Sequence, residues 1–212
     1  MTAADPAPPP TRKRQRRKDA RPGEIIQAGL EEFAEMGFAG ARLDDVARRA
    51  GVAKGTIYRY FENKEALFEA AISSKVRTKQ IEIEELVDNF EGSTETLVHM
   101  VLTKFYQEMV VSDARILMRI IIAEGHRFPE LKKNYYNNVI RNGTRIIGKI
   151  VERGIARGEF RQGPIADLPR LIAAPTIMAA IWSLTFDDLE PLDMDKHYAA
   201  HVDLLLHGLR KK

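Results

Sequence analysis

From Pro22 onward, apolar side chains recur every three or four residues, the spacing that places them on one face of an α-helix. The first stripe runs from Ile25 to Met36, with Pro22 suited to a first helical turn and Gly37 suited to a C-cap. No run alternates apolar and polar residues between turn signals, as a half-buried β-strand would. The pattern therefore predicts an all-α protein of about nine helices.

Two short helices are predicted at residues 43–50 and 54–60, on either side of a tight turn at Gly51. Asn63 can cap a fourth helix that runs to about Phe90. Because this helix is strongly charged in its middle, we expect it to leave one hydrophobic core and bridge to another. The remaining helices are predicted to begin near Ser93, Ser112, Pro129, Asp167 and Pro191.

The composition excludes several kinds of protein. The chain has 212 residues, enough for one large core or two modest ones, and no cysteine, which removes disulfides and thiolate sites. Its longest uncharged run, residues 171–186, is shorter than the ~18 apolar residues of a membrane-spanning helix. No apolar leader is visible at the N-terminus. These features predict a cytoplasmic protein that does not enter a membrane.

The positive charge is concentrated at one end of the chain. The formal net charge is +3, and the whole excess lies in residues 1–65. Residues 1–20 combine prolines with a basic run, so we expect a disordered arm there. A basic end on a neutral body is typical of proteins that bind nucleic acid. For the arm, a solubilising tail, contact with DNA phosphates and a nuclear localisation signal all remain open.

Residues 43–60 have the dimensions of a helix-turn-helix motif. Lys54, Gly55 and Thr56 would form the first turn of its second helix, the end that enters a major groove. The hydroxyls of Tyr58 and Tyr60 could reach phosphates while their rings pack inward. Lys64 and the preceding Arg42 would add contacts to the DNA backbone.

The segment LDDVARRAGVAKGTIYRYFENKEALFEAAI resembles the DNA-binding domain of the tetracycline-repressor (TetR) family of bacterial transcriptional regulators. The preceding IIQAGLEEFAEMGFAGARLDDVA is similar to the first helix of that family. The resemblance covers residues 22–72. It implies that the DNA contacts are made by a set on both helices of the motif and the start of the next: Arg42, Lys54, Gly55, Thr56, Tyr58, Arg59, Tyr60 and Lys64. For Arg59, reading of a guanine and contact with a phosphate remain open; for the tyrosines, pure packing does.

The resemblance also implies a C-terminal helical domain that dimerises and holds a small-molecule pocket. The domains would then be an arm at 1–20, a DNA-binding domain at 21–66 and a ligand-binding and dimerisation domain at 67–212. Residues 165–186 are apolar on nearly every face, so we expect this helix and the one at 193–209 to pair with their copies. Burial of the apolar helix within one subunit is the alternative.

A pocket would need apolar and a few polar side chains around the centre of the second domain. Candidates share aromatic, methionine or amide character on central helices: His99, Phe105, Tyr106, Met118, Tyr135, Asn138, Trp182 and Phe186. A packed core is the alternative explanation for such stripes. His197 and His201 have the spacing of metal ligands, but we expect a solvated face there, no metal site and no cofactor.

The sequence thus predicts a dimeric repressor that binds a two-fold operator on double-stranded DNA and is released by a small apolar or amphipathic ligand. We expect the ligand to shift the dimer between two geometries through the fourth helix. A non-specific DNA-packaging protein and a helical enzyme are the alternatives. No nucleophile–base pair, phosphate-binding glycine loop or carboxylate cluster indicates an enzyme.

Overall fold

The computed structural model describes the backbone of residues 12–210 and, from residue 21 onward, their side chains. In this part the chain is helical throughout, with one isolated bridge between Phe160 and Arg210 in place of any strand. This confirms the predicted all-α fold. The chain divides into two compact units, one up to Phe68 and one from Glu69, two residues beyond the predicted boundary. Within residues 12–210 no helix combines the length and apolarity needed to cross a bilayer.

The first unit consists of three helices and the start of a fourth. In chain order these are α1 (Arg12–Gly40), α2 (Leu43–Arg49), α3 (Lys54–Tyr60) and α4 (Lys64–Ile72). Its core centres on the rings of Phe33, Phe38 and Phe68, whose centroids lie 5.6–5.8 Å apart. Ile57 and Phe61 are also buried, so apolar side chains of the motif contribute to this core.

Helix α1 begins earlier than the sequence predicted. The predicted disordered arm comprises residues 1–20; residues 1–11 lie outside the described part, whereas the backbone of residues 12–20 is helical. Pro22, predicted in a first turn, lies inside the helix instead. The reason lies in the composition, because arginine, lysine, glutamine and alanine are strong helix formers. The helical backbone is interrupted at Gly37, where φ is 67°, as suits the glycine predicted to end the helix.

Arg49 connects α2 to α1 through ion pairs. Its guanidinium donates to the carboxylates of Glu32 over 3.2 Å and Glu35 over 2.6 Å. The hydrogen bond from Arg49 to Glu35 lowers the pKa of Glu35. Since Glu32 is buried, the ion pair also satisfies a carboxylate that would otherwise lack water.

The second unit contains the remaining helices, three of which include a π-helical turn. They are α5 (Thr78–Asn89), α6 (Thr94–Tyr106), α7 (Ala114–Glu124), α8 (Pro129–Tyr135), α9 (Arg141–Ala156), α10 (Pro164–Asp167), α11 (Arg170–Thr185) and α12 (Met194–Leu209). The π turns are Ser73–Arg77, Gln107–Val111 and Tyr136–Ile140. The first and third join α4 to α5 and α8 to α9 without a break. Counted this way, residues 12–210 form nine helices and the single-turn α10.

Local signals in the sequence set several helix ends. The side chain of Ser93 accepts a hydrogen bond from the backbone N–H of Thr96 at the start of α6. Asn63 caps α4 in the same way through the N–H of Ala66, over 2.8 Å. Pro129 occupies the first turn of α8, where its missing N–H leaves no bond unmade.

Helices α5 and α9 are joined by an ion-pair network in addition to their apolar contact. Arg145 and Lys149 of α9 both bond the Glu84 carboxylate, and Lys149 also bonds Asp88 over 2.9 Å. These bonds lower the pKa of Glu84 to about 2. The network fixes the two helices in one register, beside a core that includes Ile146 and Ile150.

Helices α11 and α12 are connected by two histidines. His201 is buried and donates from Nε2 to the carbonyl of Ile172 over 3.0 Å, and His197 Nε2 lies 3.0 Å from the carbonyl of Pro175. The solvated face predicted for this pair is therefore wrong for His201. The reason is that carbonyls of α11, which the sequence pattern did not place there, supply the acceptors. Burial lowers the pKa of His201.

Candidate nucleic-acid interface and ligand cavity

The turn between α2 and α3 has the backbone that the motif requires. Gly51 has φ of 63°, a left-handed conformation that strains any residue with a Cβ. The N–H of Val52 donates to the carbonyl of Ala47 over 2.9 Å and closes the corner. The turn comprises residues 50–53, one residue more than the motif length predicted. It presents the first turn of α3 at the surface.

The predicted DNA contacts on α3 are all at least partly accessible. Lys54, Gly55, Tyr58 and Arg59 are exposed, and Thr56 and Tyr60 are half-buried. Nothing lies within 4 Å of the Cβ position of Gly55, so its backbone is open to an approaching ligand. The prediction that the Tyr58 ring packs inward is wrong, because Tyr58 is 48% exposed and lies beside the exposed Lys54 and Asp44. This exposure suits residues that must meet DNA and does not suit a set that only packs.

Asp44 orients two of these side chains. Its carboxylate accepts a hydrogen bond from Lys54 Nζ over 2.7 Å and lies 3.4 Å from the Tyr58 hydroxyl. The bond to Asp44 raises the pKa of Lys54. Lys54 also lies 6.0 Å from the centre of the Tyr58 ring. The three residues therefore form one group across α2 and α3, which the sequence did not indicate.

The two arginines of the predicted set differ in their surroundings. Arg42 is exposed and extended, immediately before the first turn of α2. The guanidinium of Arg59 lies 5.8 Å from the centre of the Tyr60 ring, within the range of a cation–π contact. Stacking of this kind orients Arg59 along the outer face of α3, compatible with either a base or a phosphate.

Lys64 has a structural contact that the sequence did not predict. Its ammonium donates to the carbonyls of Phe38 over 2.7 Å and Ala39 over 3.0 Å, and lies 4.8 Å from the centre of the Phe38 ring. The lysine thus stabilises the chain that follows Gly37. Its phosphate contact remains a prediction, and any such contact has to compete with these bonds.

The second unit contains an apolar cavity of about 460 Å³, open on one side and lined by residues of α5, α6, α7, α8, α9 and α11. This volume lies within the range of small-molecule sites, about 300–1,000 Å³. Isoleucine, valine, leucine and methionine side chains form most of the wall, including Val98, Ile147 and Ile150. Polar side chains that line it include Lys75, Lys79, Gln80, Glu108 and Lys132. The cavity can take a mostly hydrocarbon ligand.

Three of the eight predicted pocket residues line this cavity: Phe105, Met118 and Tyr135. The phenol of Tyr135 is buried, which raises its pKa. The other five lie outside this lining, namely His99, Tyr106, Asn138, Trp182 and Phe186. Of these five, Tyr106 is buried, Phe186 is exposed and the other three are half-buried.

Side-chain partners explain why these five lie elsewhere. Tyr106 bonds His201 over 3.0 Å, and the His99 ring lies against Tyr198, so both turn toward α12. Asn138 donates to the carbonyl of Asn134 within its own helix. Trp182 and Phe186 pack against each other near the end of α11, away from the cavity. The indole N–H of Trp182 donates to the carbonyl of Glu190.

Lys75, Lys79 and Gln80 were missed as cavity residues because the charged stretch 75–85 was interpreted as a bridge between two cores. A readable signal was present, since Val76, Gln80 and Ile83 are spaced i, i+4 and i+7 and therefore share one helix face. The structure places this face in the cavity wall. No pattern in the sequence marks the π turn that precedes α5.

A helix-turn-helix unit and a second helical unit with an apolar cavity together define a DNA-binding regulator that responds to a ligand. Comparison with known families agrees. The family described as bacterial regulatory proteins, tetR family, matches residues 25–71, and a tetracyclin repressor-like C-terminal domain matches residues 91–200. The second match alone covers more than half of the chain. The chain therefore belongs to the TetR family, and the predicted class, a ligand-responsive DNA-binding transcriptional repressor, is confirmed.

Several transcriptional regulators are similar to this chain over nearly its whole length. The fatty acid metabolism regulator protein of Bacillus subtilis (strain 168) is 26% identical over 189 residues, which are 89% of this chain and 95% of that protein. The solved structure of FadR from Bacillus subtilis in complex with stearoyl-CoA has a TM-score of 0.71 at 24% identity, covering 88% and 98% of the two chains. NalD, the secondary repressor of the MexAB-OprM efflux pump in Pseudomonas aeruginosa, has a TM-score of 0.73 at 20% identity, covering 92% and 98%. The two structures share the fold, and these relatives favour neither the packaging protein nor the enzyme.

Proposed function

We propose that this regulator is a homodimeric repressor that binds a two-fold operator and is released by a long-chain amphiphile with an anionic head. The observation that carries the proposal is the composition of the cavity wall, which is hydrocarbon over most of its area and includes lysines on α5 and α8 and in the turn before α5. A neutral apolar ligand would not match the charge of the lysines, and a polar ligand would not match the hydrocarbon surface of the wall.

The effector class rests on the matching of charge and surface. Four positive side chains line the cavity, namely Lys75, Lys79, Lys132 and Arg170, and Glu108 is the one negative side chain in that lining. Lys79 is paired with Glu82 over 3.0 Å at the surface, so its charge is partly compensated there. Stearoyl-CoA, which the similar FadR structure contains, has the same combination of a long hydrocarbon chain and an anionic head.

The dimer rests on an apolar stripe that the described part of the chain leaves uncovered. Leu171 and Met178 of α11 are 52% and 48% exposed, and Leu204 of α12 is 70% exposed. Leu171 and Met178 are seven residues apart and share a helix face. Pairing of α11 and α12 with their copies would bury this stripe, and a dimer would present two α3 helices to a two-fold operator.

DNA release by matched amphiphiles tests the proposal. The protein would be titrated onto the DNA upstream of its own gene and onto a scrambled sequence at near-physiological salt. We expect the specific site to bind at least ~10³-fold more tightly than the scrambled DNA. Stearoyl-CoA should release it, whereas a cationic amphiphile of equal chain length should not.

Two variants separate the DNA surface from the cavity. Lys54→Ala should weaken DNA binding and leave amphiphile binding intact. Ile147→Trp places a large ring in the cavity, so it should keep DNA binding and abolish release. Equal binding to both DNA sequences would contradict specific repression and favour the packaging protein.

A further inference from the structure

Three π-helical turns line the same cavity. Lys75 and Val76 belong to the first turn, Glu108 and Met109 to the second, and Tyr136 and Val139 to the third. A π turn shifts the backbone out of the regular i→i−4 pattern and is frequent at functional sites. The first and third turns are in direct contact. Local departures from regular helix therefore coincide with the cavity wall.

Gln80 spans the gap between two of these helices. Its Nε2 donates to the backbone carbonyl of Val139, inside the third π turn, over 2.9 Å. A carbonyl can only accept, so the nitrogen must face Val139 and the amide orientation is fixed. The other end of the amide, Oε1, is buried and has no hydrogen-bond partner within the described residues. An acceptor in this state costs free energy until a donor reaches it.

The position of Gln80 in the cavity indicates which part of a ligand it would meet. Along the first π turn and α5 the lining residues run from Lys75 and Lys79 through Gln80 to Ile83, and the lining of α9 is apolar from Ile146 onward. Gln80 therefore lies where the polar part of the wall passes into hydrocarbon. A bound amphiphile would place the junction of its head and its chain at this point.

We propose that Gln80 is a specificity-determining residue, whose Oε1 accepts a hydrogen bond from an N–H or O–H group at the junction between the anionic head and the hydrocarbon chain of the effector. This rests on the proposed effector class and narrows it. The favoured ligands are acyl amides and hydroxylated acyl chains that carry a negative charge beyond the junction. An amphiphile without such a donor leaves Oε1 unpaired and binds more weakly.

Three synthetic ligands test the role of the donor. N-dodecanoylglycine carries an amide N–H, O-dodecanoylglycolic acid replaces that N–H with an ester oxygen, and N-dodecanoylsarcosine replaces it with N-methyl. All three have the same chain and one carboxylate, so their heads should meet the lysines alike. With wild-type protein, titration calorimetry below the micelle concentration should show the amide binding at least about fivefold more tightly than the ester, as expected for one unmade buried hydrogen bond. This comparison needs no variant.

The Gln80→Leu variant assigns the discrimination to this residue. Leucine keeps the size of the side chain and removes both amide groups, so the three ligands should bind the variant within about twofold of one another, since the acceptor is gone. Glu85→Gln, at an exposed position of α5 outside the cavity lining, serves as the control and should keep the preference for the amide. Thermal unfolding of both variants checks that the fold is retained.

The outcomes distinguish this inference from the function on which it rests. If wild-type protein binds all three ligands equally, Gln80 does not read a donor, while the effector class stands. Preference for the amide that persists in Gln80→Leu would equally contradict the inference, because it would come from ligand shape. If no ligand binds and stearoyl-CoA also fails to release DNA, the effector class and the role of Gln80 are both wrong.

Discussion

Lys54, at the start of α3, donates a hydrogen bond to the carboxylate of Asp44, in the first turn of α2, over 2.7 Å. The pair joins the two helices of the motif and is exposed on both sides. An acidic group therefore stands among the side chains predicted to meet phosphates. DNA binding would have to exchange the carboxylate partner of Lys54 for a phosphate, with Asp44 left as a source of repulsion.

Replacement of Lys54 should lower the affinity for DNA, whereas replacement of Asp44 should raise it. Lys54→Met should weaken binding to all sequences and reduce the salt slope, the change of log K with log salt concentration, by about 1. Asp44→Asn removes a repulsive charge and should tighten binding by about twofold to fivefold at low salt. Fluorescence anisotropy over a salt series measures both. Lys133→Met, an exposed lysine of the second unit, should leave the slope unchanged.

The two glycines of the motif should respond to alanine in opposite ways. Gly51→Ala forces a Cβ into the left-handed region and should lower the free energy of unfolding by about 1–2 kcal/mol. Gly55→Ala meets open space within a helix and should raise it by about 0.5–1 kcal/mol. Urea unfolding measures these changes. If the Gly55 backbone approaches DNA closely, the more stable variant should still bind its operator less tightly.

Charge placed on the exposed stripe of α11 should dissociate the proposed dimer. Met178→Glu would bury two carboxylates against each other at a two-fold interface, which favours monomers. Sedimentation equilibrium at micromolar concentration should show the mass of one chain for the variant and of two for the wild type. Met36→Glu, an equally exposed methionine in the first unit, is the control. A dimeric Met178→Glu variant would show that another surface forms the interface.

The network between α5 and α9 should make stability depend on acid. Hydrogen bonds from Arg145 and Lys149 lower the pKa of Glu84 to about 2. The folded state therefore holds the proton less tightly than the unfolded chain. The resulting stabilisation is complete above about pH 4.5 and is lost as the pH falls toward 2.

Replacement of Glu84 tests this dependence. Glu84→Gln should lower the free energy of unfolding by about 1 kcal/mol at pH 7, after allowance for solvent screening, and by less at pH 3. Glu85→Gln, exposed on the same helix, should have no such effect. Chemical denaturation at the two pH values measures the difference. An equal loss at pH 3 and pH 7 would show that Glu84 acts through packing instead of charge.

Much of the first unit could be predicted because its signals are local. The glycine at 51 specifies a backbone angle, and Asn63 supplies a cap within three residues. These effects act within one or two helical turns, so the sequence alone carries them. The helical character of residues 12–20 was missed since composition there favours both disorder and helix.

The sequence by itself determined the class of the fold, several helix ends and the position of the motif, because each depends on neighbours along the chain. Tertiary structure alone decided where distant residues meet. It turned Tyr106 toward His201, gave Lys64 two carbonyls of α1 and brought Gln80 to Val139 at the cavity wall. A hydrogen bond between residues that are 25 to 95 positions apart depends on helix packing, and no local pattern records it.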